Sequence, residues 1–396
     1  MKDDLEVNVN CKQAGKLVFE NDEYIYSYTV DDKNDYISLT MPVRAKSYMN
    51  KQLHPIFEMH LPEGYLLSVI KKHFSKLTKT DDFGLLKLMS PSIKGRVNFK
   101  NRESLERGAL TLESLLHPRS STLFDELVHK FALTSSLSGV QPKVLAKVQD
   151  KATLTFQDFI VKSWGEDYPN LALNEYYCMQ IIKKANITVP EFYLSDDHKL
   201  FIMKRFDIKE DGTFLGFEDM CVLQAKQRDD KYEGSYESIV KTIKIFTSSK
   251  HKKDALRQFF KMIVINNFVQ NGDGHLKNYG LVYKDIDNIA LAPSYDVVST
   301  TVYIKNDIPA LYLLGSKKWW SKKYLLRFAV GSCDLSLKES NTLYDECLSA
   351  LTCVIDEIEM KLKSEKNENI YEFLRKLIAV FRIYLERPEE GGALNE

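Results

Sequence analysis

Three oxygen-bearing side chains in one part of this chain have the order and spacing of a phosphoryl-transfer site. Asp273 lies between two glycines, Asn278 follows it by five residues, and Asp296 stands on a later apolar segment. In such sites a loop aspartate takes the proton of the attacking hydroxyl, while an asparagine and a second aspartate hold magnesium. The pattern makes Asp273 the candidate catalytic base and Asn278 and Asp296 the candidate metal ligands.

The neighbours of these residues differ from those of ordinary protein kinases. No His-Arg pair precedes Asp273, and Tyr295-Asp296-Val297 stands where Asp-Phe-Gly is usual. A surface turn is the alternative for Asn271–Gly274, because Asn, Gly and Asp all favour turns. The asparagine at +5 and the aspartate beyond a strand–turn–strand favour phosphoryl transfer instead. The sequence therefore predicts a divergent kinase.

Three further segments carry residues suited to nucleotide binding, and each has a structural alternative. Lys162 ends an apolar strand, from which a lysine can reach phosphates, but an edge lysine fits the same position. Ser136–Lys143 has serines and one glycine that let backbone N–H groups face phosphate, although it matches neither the Walker A pattern nor a kinase glycine-rich loop. Lys204-Arg205-Phe206 follows a strand, where adenine can dock, and a charged strand end is the alternative.

Other candidates are less specific. His275 is a possible metal ligand or base, but a single histidine without partners is more often a hydrogen-bonding structural residue. Lys277 either touches phosphate or lies in solvent. Trp319-Trp320 lies among lysines and suggests an aromatic-basic patch for nucleic acid or a partner; a helix face with two half-buried tryptophans fits equally well.

Hydrophobic periodicity predicts strands in the first part of the chain. Apolar positions alternate in Leu17–Phe19 and Tyr24–Tyr28 around the turn Asn21-Asp22, which indicates a hairpin. Tyr36–Thr40 predicts another strand, and Leu61–Gly64 opens a helical stretch.

Later segments provide the elements that must position the candidate site. Strands are predicted at Phe159–Lys162 and Leu200–Lys204, with a helix between them from Asn174, taken as its N-cap, to about Ala185. From about residue 236 helices dominate. The helix Lys253–Gln270 has a strongly apolar face and ends directly before the candidate loop, and residues 335–385 predict further helices.

Composition excludes several classes of protein. Lys and Arg together number 55, as do Asp and Glu, so the formal net charge is zero. A dominant DNA-binding domain usually has a basic excess, so DNA contact is expected to be local or supplied by a partner. The six cysteines form no C-x-x-C pair, which argues against zinc. No secretory signal or apolar run of membrane-spanning length is apparent, which predicts a cytoplasmic protein without membrane contact.

Several segments together resemble the HipA family of toxin serine/threonine kinases from bacterial toxin–antitoxin modules. The similarity lies in Leu61–Gly64, Ser136–Lys143, Lys204–Asp207, Glu218–Cys221, Asn271–Asn278 and Ala292–Asp296. It implies an α+β, bilobal protein-kinase-like fold with a strand-rich N-terminal part, including an extra small subdomain, and an all-helical C-terminal lobe. The expected divisions are residues 1–105 for the N-terminal subdomain, 106–235 for the strand-rich kinase lobe with the phosphate loop, and 236–396 for the helical lobe.

The resemblance also implies roles for individual residues. Asp273 would be the catalytic base, and Asn278 and Asp296 would bind Mg²⁺. The residues expected at ATP are Ser138, Gly139, Val140, Gln141, Pro142, Lys143, Lys162, Lys204, Arg205, Phe206, His275, Leu276, Lys277 and Tyr295. Family members phosphorylate a serine of their own phosphate loop. Ser136 matches that position, but Ser138 adds a second hydroxyl, so either or both are candidates.

The implied activity is growth inhibition by an ATP- and Mg²⁺-dependent kinase. The expected substrate is a protein, by family likeness an aminoacyl-tRNA synthetase. The expected partner is a helix-turn-helix antitoxin similar to HipB, through which operator DNA would mainly be reached. The alternative is a kinase-like pseudoenzyme that acts as a corepressor in an antitoxin–DNA complex. A metal-dependent hydrolase built on Asp273, His275 and Asp296 is weaker, because no carboxylate or histidine cluster completes a two-metal site.

Overall fold

A computed structural model describes residues 4–61, 63, 67, 81–99, 110–118, 143–149, 156–163 and 167–386. The chain divides into two compact units, each assembled from segments that are distant in sequence. The strand-rich unit consists of Met1–Gly165, Phe192–Asp230 and Val282–Asn288. The helical unit consists of Glu166–Glu191, Lys231–Leu281 and Ile289–Glu396.

The first sheet of the strand-rich unit is antiparallel and has the order β4-β3-β2-β1-β5. Its strands are β1 (Asp4–Val9), β2 (Lys12–Glu20), β3 (Glu23–Tyr28), β4 (Tyr48–Asn50) and β5 (Val97–Phe99). Asn21 and Asp22 join β2 to β3 with φ angles of 53° and 60°. Two successive left-handed residues match the twist of a two-residue hairpin, and Asn and Asp tolerate this region. The predicted hairpin is confirmed.

The prediction of a strand at Tyr36–Thr40 is wrong. Ser38 forms only an isolated bridge with Met41. The segment instead contacts a buried carboxylate: Glu218 accepts hydrogen bonds from the Ser38 hydroxyl at 2.7 Å and from the Leu39 N–H at 2.8 Å. The Leu39 N–H therefore bonds to a side chain instead of to a neighbouring strand.

The second sheet has the order β6-β7-β8-β10-β9. Its strands are β6 (Leu110–Thr111), β7 (Lys143–Gln149), β8 (Phe156–Lys162), β9 (Phe192–Leu194) and β10 (Phe201–Lys204). β6 pairs with β7 in parallel, whereas the other pairs are antiparallel. The strands predicted at Phe159–Lys162 and Leu200–Lys204 are confirmed, and both contribute to the core. The buried apolar cluster of this unit includes Phe99 of the first sheet, Phe57 of a short helix, and Phe159 and Val161 of the second sheet.

Short elements complete the strand-rich unit. These are α1 (Pro55–Glu58), α2 (Asp82–Met89), α3 (Leu112–Leu116), β11 (Gly216–Asp219) and α5 (Met220–Leu223), the last numbered after a helix of the other unit, with 3₁₀ turns at Lys33–Asp35 and Ser90–Ser92. Of the predicted Leu61–Gly64 helix start, Pro62 and Gly64 lie outside the described residues. The end of β12 (Gly280–Tyr283) also belongs here, because the division between the units falls after Leu281.

A buried polar cluster, the Glu218 cluster, closes the strand-rich unit around one carboxylate. We define it as Ser38, Leu39, Arg96, Glu218 and Tyr283. The Tyr283 hydroxyl donates to Glu218 at 2.6 Å, beside the two donors described above. The Arg96 guanidinium lies 5.4 Å from the centroid of the Tyr283 ring. Burial raises the pKa of the Glu218 carboxyl, although these hydrogen bonds and Arg96 act in the opposite direction.

The helical unit is built on two long helices. Its helices are α4 (Leu171–Lys184), α6 (Tyr236–Phe246), α7 (Ser249–Phe268), α8 (Lys322–Gly331), α9 (Leu337–Leu362) and α10 (Glu368–Glu386). α9 packs against α4, α7, α8 and α10. The start of β12 and the strand β13 (Ile289–Leu291) form a short hairpin, in which the Ala292 N–H donates to the Gly280 carbonyl at 2.9 Å. In the described part of the chain, no helix combines the length and apolar character that a membrane span requires.

The prediction that Asn174 caps its helix is wrong. α4 begins three residues earlier, and its N-cap is Asn170, with a left-handed φ of 62° and no capping bond from its side chain. Asn174 is fully buried inside the helix. Its amide donates to the Ser299 carbonyl at 2.8 Å and accepts from the Ser299 N–H at 2.9 Å. A tertiary bridge therefore outweighs the local preference of asparagine for caps.

Candidate active site

The candidate loop starts with a forced reversal of the chain after α7. Gln270 is left-handed, with a φ of 53°. The next residue, Asn271, is 1% exposed and returns to the helix: its N–H donates to the Asn266 carbonyl at 2.8 Å, and its amide nitrogen donates to the Asn266 side-chain oxygen at 3.0 Å. The remaining Asn271 oxygen accepts the Asp273 N–H at 3.1 Å. Asparagine thus supplies donors and an acceptor that turn the backbone toward Asp273.

A second set of contacts holds the other side of the loop. The Gly272 N–H donates to the Thr300 hydroxyl oxygen at 2.8 Å, and that hydroxyl contacts the Asp307 carboxylate. A Cβ at position 272 would lie 2.0 Å from an Asp307 oxygen and 2.7 Å from Thr300 Oγ1. Real Cβ atoms do not come this close, so a larger residue at 272 would displace the Asp307 and Thr300 side chains that support the loop. The Trp319 indole N–H donates to the Asp307 carbonyl at 2.9 Å and supports the same side.

A single 3₁₀ turn connects the candidate base to the first candidate ligand. His275 donates its N–H to the Asp273 carbonyl at 2.8 Å and to the Asn278 side-chain oxygen at 3.0 Å. The turn Leu276–Asn278 follows, with Leu276 fully buried. His275 is 9% exposed and Asn278 6% exposed, whereas Asp273 is exposed. The polar side chains of a surface turn are usually exposed. Burial of His275 and Asn278 therefore argues against the surface-turn alternative.

The two candidate metal ligands lie side by side. The Asn278 amide nitrogen donates to Asp296 Oδ2 at 3.2 Å. Asp296 has a φ of 61°, a left-handed conformation that costs most residues on the order of 1 kcal/mol and that aspartate tolerates better than most. The segment is fixed on both sides of this residue: Ser294 donates its N–H to the Thr188 carbonyl at 2.8 Å, and Ser299 is bridged to Asn174 as described. Backbone strain held by its surroundings is typical of functional positions.

Neutral hydroxyl groups lie beneath the loop. The Tyr279 hydroxyl accepts from the Asn266 amide at 2.8 Å. Burial raises the pKa of Tyr279 well above its ordinary value, and Tyr236 raises it further. Burial also raises the pKa of Tyr236 to about 12. These phenols therefore stay protonated near neutral pH, so they support the loop without adding negative charge to it.

The donor chemistry of Asn278 and Asp296 fits a magnesium ion that arrives with a nucleotide. Mg²⁺ takes hard oxygen ligands and commonly uses one or two carboxylates, with phosphate and water oxygens completing its six ligands. Asn278 Oδ1 gives one lone pair to His275 and has a second one for a metal. Across the described ranges, no group of three or more His, Cys, Asp or Glu side chains forms an all-protein metal cage. The residues thus fit a metal site whose ligands come from both the protein and a nucleotide better than one made of protein ligands alone.

Lys162, the predicted phosphate-binding lysine, lies in the strand-rich unit. It is the last residue of β8, stands opposite Lys143 on one side and Phe201 on the other, and is 2% exposed. Its ammonium lies 5.6 Å from the centroid of the Phe201 ring. β8 lies between β7 and β10, so Lys162 is not on an edge strand, which excludes the edge-lysine alternative.

The predicted adenine segment follows β10 in the same unit. Lys204 is the last residue of that strand. Arg205 donates from Nε to Asp207 Oδ1 at 2.9 Å and from Nη2 to the Lys94 carbonyl at 2.9 Å. The Phe206 ring meets the Phe217 ring edge-on, with centroids 5.4 Å apart. Arg205 therefore has structural partners, and both the adenine-binding prediction and the charged strand-end alternative remain open.

Some predicted residues lie outside the described part of the chain. These are Ser136, Ser138, Gly139, Val140, Gln141 and Pro142; Lys143 is the first residue of β7. The described loop residue Tyr295 donates its hydroxyl to the Lys277 carbonyl at 2.8 Å, so these two predicted nucleotide contacts are linked.

The alternative that Trp319 and Trp320 lie on a helix face is wrong. Both precede α8. The backbone N–H of Trp320 donates to the Asn267 side-chain oxygen at 2.8 Å, and the Trp320 carbonyl accepts from the Asn267 side-chain amide at 2.7 Å. Asn267, a polar residue of the otherwise apolar end of α7, therefore binds this segment.

Four residues of the site were missed by sequence reasoning: Asn266, Thr300 and Asp307, which position the loop, and Tyr232, whose hydroxyl donates to Asp273 Oδ1 at 2.7 Å. Tyr232 is separated from Asp273 by 41 positions. No local spacing marks such partners. The one available signal is Gly272, since a glycine that is not needed for its φ indicates close approach of another segment.

Two family descriptions match this chain. The HipA-like C-terminal domain matches residues 135–355, and the HipA N-terminal domain matches residues 5–100. The chain belongs to the HipA family. This membership confirms the predicted family.

Known relatives agree with that assignment. A protein of Sinorhizobium fredii (strain NBRC 101917 / NGR234) named "Putative kinase Y4dM" is 28% identical over 337 residues, which are 77% of this chain and 78% of that protein. A "Putative kinase" of Haemophilus influenzae (strain ATCC 51907 / DSM 11121 / KW20 / Rd) is 30% identical over 185 residues, which are 42% of this chain and 53% of the relative.

A solved structure of HipA with HipB and operator DNA, from the toxin–antitoxin system of Shewanella oneidensis MR-1, has the same fold. The TM-score is 0.71 at 20% identity, and the superposition covers 96% of this chain and 97% of the other. At this identity the similarity establishes the fold alone. It confirms the predicted α+β, kinase-like class.

Proposed function

We propose that this HipA-family protein is a serine/threonine kinase that uses Mg-ATP to phosphorylate a protein and thereby inhibits growth. The observation that carries the proposal is the arrangement of the helical unit around Asp273. This carboxylate is exposed, whereas most of the loop that holds it is buried. Asn278 lies one turn after Asp273, Asp296 follows the next hairpin, and the two side chains are hydrogen-bonded to each other. Such an arrangement presents a base and a pair of hard ligands to an incoming substrate.

The proposed reaction is in-line transfer of the γ-phosphoryl group. Asp273 accepts the proton of a serine or threonine hydroxyl while the hydroxyl oxygen forms a bond to the γ-phosphorus. The bond from that phosphorus to the ADP oxygen breaks in the same displacement. Asn278 and Asp296 would hold Mg²⁺, which neutralises charge on the phosphate oxygens. The protein's own contribution is mainly alignment, which the fixed loop backbone favours.

Nucleotide binding is proposed for the residues that the family resemblance implies. In the strand-rich unit these are Ser138, Gly139, Val140, Gln141, Pro142, Lys143, Lys162, Lys204, Arg205 and Phe206; in the helical unit they are His275, Leu276, Lys277 and Tyr295. Burial of Lys162 supports its part, since a lysine held along an apolar strand is pre-ordered. The division into residues 1–105, 106–235 and 236–396 belongs to the same proposal.

Self-phosphorylation is proposed at Ser136, Ser138 or both, on the basis of family likeness. Mass spectrometry of the purified protein after prolonged exposure to Mg-ATP distinguishes these possibilities. Matched variants Ser136→Ala and Ser138→Ala assign the signal. A loop that stays unmodified under these conditions contradicts this part of the proposal.

The proposed partners are a cytoplasmic protein substrate of the aminoacyl-tRNA synthetase class and a helix-turn-helix antitoxin similar to HipB. The HipA structure with the same fold was solved together with HipB and operator DNA, which supports the antitoxin. The formal net charge of zero supports DNA contact through that partner. Phosphoproteomics of cells that express the protein identifies the substrate.

The activity is tested with γ-labelled ATP and Mg²⁺ on the wild type, Asp273→Ala and Asp296→Asn. Asparagine at 296 tolerates the left-handed backbone, so this variant removes the charge and keeps the local fold. Asp287→Ala is the matched control, because Asp287 is an exposed aspartate at the tip of the β12–β13 hairpin. Label is expected in the wild type and the control only. Equal label in all four proteins refutes the mechanism.

The second candidate is a kinase-like corepressor without catalysis, which similarity to a protein solved on operator DNA favours. It predicts antitoxin binding, no ATP binding and normal growth when the protein is expressed alone. Retention of both candidate metal ligands argues for the kinase.

A further inference from the structure

The hydroxyl of Tyr232 contacts the candidate catalytic base directly. It donates to Asp273 Oδ1 at 2.7 Å. A general base must lie about 2.6–3.2 Å from the hydroxyl whose proton it removes. The phenol oxygen therefore lies at the distance from Asp273 that the substrate hydroxyl has to reach.

The Tyr232 ring is held at the surface and not in the core. It is 41% exposed, and its edge-to-face partner is the His275 ring, at 5.1 Å between centroids and 82° between planes. The Lys231 ammonium lies 5.4 Å from the ring centroid, and Lys317 approaches the Tyr232 carbonyl at 3.5 Å. Contacts of this kind at an exposed site are weak, so the side chain can rotate away on the timescale of surface rotamers.

We propose that Tyr232 is a placeholder for the acceptor: its hydroxyl occupies the position on Asp273 that the substrate hydroxyl takes, and the substrate displaces it. This inference rests on the proposed kinase function and names a further residue of the same site. While the phenol is in place, any other hydroxyl has to compete with it for Asp273 Oδ1. A substrate hydroxyl can replace Tyr232 only if it stays near Asp273 for long enough, which requires that the substrate protein is docked. Tyr232 therefore favours docked protein substrates over free hydroxyl compounds.

The activity arm of the test uses Tyr232→Phe, which removes one oxygen and keeps the ring against His275. Tyr312→Phe is the matched control, since Tyr312 is 47% exposed in the same unit and its ring faces Lys317. The readouts are the initial rate of self-phosphorylation and of ADP formation with γ-labelled Mg-ATP. Loss of a hydrogen bond that competes with the acceptor predicts a rise of about 3- to 10-fold in both rates. The KM for ATP and the control variant should not change.

The contact itself is tested without relying on activity. 3-Fluorotyrosine is placed at position 232, and its ¹⁹F resonance is compared between the wild-type background and Asp273→Asn. A shift is expected, because the fluorine reports whether the neighbouring hydroxyl faces a carboxylate. The same label at position 312 should be insensitive to Asp273→Asn.

The outcomes separate this inference from the function on which it rests. Equal labelling of wild type and Asp273→Ala means that the kinase proposal fails, whether or not the ¹⁹F shift is present. Labelling that requires Asp273 but is unchanged or slower in Tyr232→Phe overturns the placeholder alone. An insensitive ¹⁹F resonance overturns it as well. Phosphate found on Tyr232 itself also overturns it, because the phenol would then be an acceptor.

Discussion

The two units each contain a polar cluster, and the clusters are built in opposite ways. In the Glu218 cluster the carboxylate is fully buried and its donors come from Ser38, Leu39 and Tyr283, so its hydrogen-bonding capacity is spent inside the unit. In the loop after α7 the supporting residues are buried, but the carboxylate of Asp273 is exposed. A polar network acts as a structural element when the charge lies at its centre. It acts as a platform for chemistry when the charge lies at its edge.

The largest effect that can break this comparison is expected at Asp273. Asp273→Asn keeps the shape of the side chain but removes a base, which should lower phosphorylation by roughly 10²- to 10⁴-fold. Because the side chain is exposed, the free energy of unfolding should change by less than about 0.5 kcal/mol. Label incorporation and thermal melting of the same preparations measure both quantities. A large loss of stability would mean that Asp273 resembles Glu218 after all.

The converse is expected at Glu218. Glu218→Ala leaves the buried Leu39 N–H and the hydroxyls of Ser38 and Tyr283 without their acceptor, which should cost about 3 kcal/mol of stability. Denaturant unfolding measures this loss, with Glu210→Ala as an exposed control in the same unit. At a temperature where the variant is folded, its phosphorylation rate should stay within about threefold of the wild type. Full stability in the variant contradicts the structural role.

A third change disturbs the residues that support Asp273 and leaves Asp273 itself unchanged. In Gly272→Ala the added Cβ meets Asp307 and Thr300, so either these supporting side chains or the loop has to shift. We expect a stability loss of about 2 kcal/mol from overpacking and a fall in phosphorylation of roughly 10- to 100-fold from misplacement of the base. Gly331→Ala is the control, because nothing lies within 4 Å of a Cβ there. Equal behaviour of the two variants would show that the loop adapts freely.

The smallest effect is a pH dependence specific to Glu218. Burial raises the pKa of this carboxyl above its ordinary value of 4.5. As the pH rises, the unfolded chain therefore loses this proton at a lower pH than the folded protein does. The resulting stability is fully present below pH 4.5 and is lost as the pH rises through the raised pKa. Glu218→Gln cannot titrate, so the difference in unfolding free energy between variant and wild type should move in favour of the variant across that interval. A pH-independent difference contradicts the raised pKa.

Sequence reasoning succeeded where the determining interactions are local. The hairpin at Asn21-Asp22 depends on the two turn residues themselves, and the helix before Asp273 depends on its own apolar face. The order of Asp273, Asn278 and Asp296 was also readable, because the chain places them in one loop and the segment after one hairpin.

It failed where a distant partner decides the outcome. Asn174 has the residue type of a cap, but Ser299 takes both of its amide groups 125 positions away. Tyr36–Thr40 has the alternation of a strand, but it surrounds Glu218, some 180 positions further along the chain. Thr300 and Asp307 could not be assigned to the loop for the same reason. Periodicity reports which side chains are buried and is silent about which residue they meet.

The left-handed backbone at Asp296 limits which residues can replace it. Glycine, asparagine and aspartate adopt a φ of 61° most readily, whereas alanine and β-branched residues do so at a cost. Substitutions accepted during evolution should therefore be confined to these three, and two of them carry an oxygen that can bind a cation. A relative that has given up phosphoryl transfer is expected to show Gly or Asn at this position before it shows Ala or Val. The shape of one turn thus leaves a record of lost activity that can be read in the sequences of its descendants.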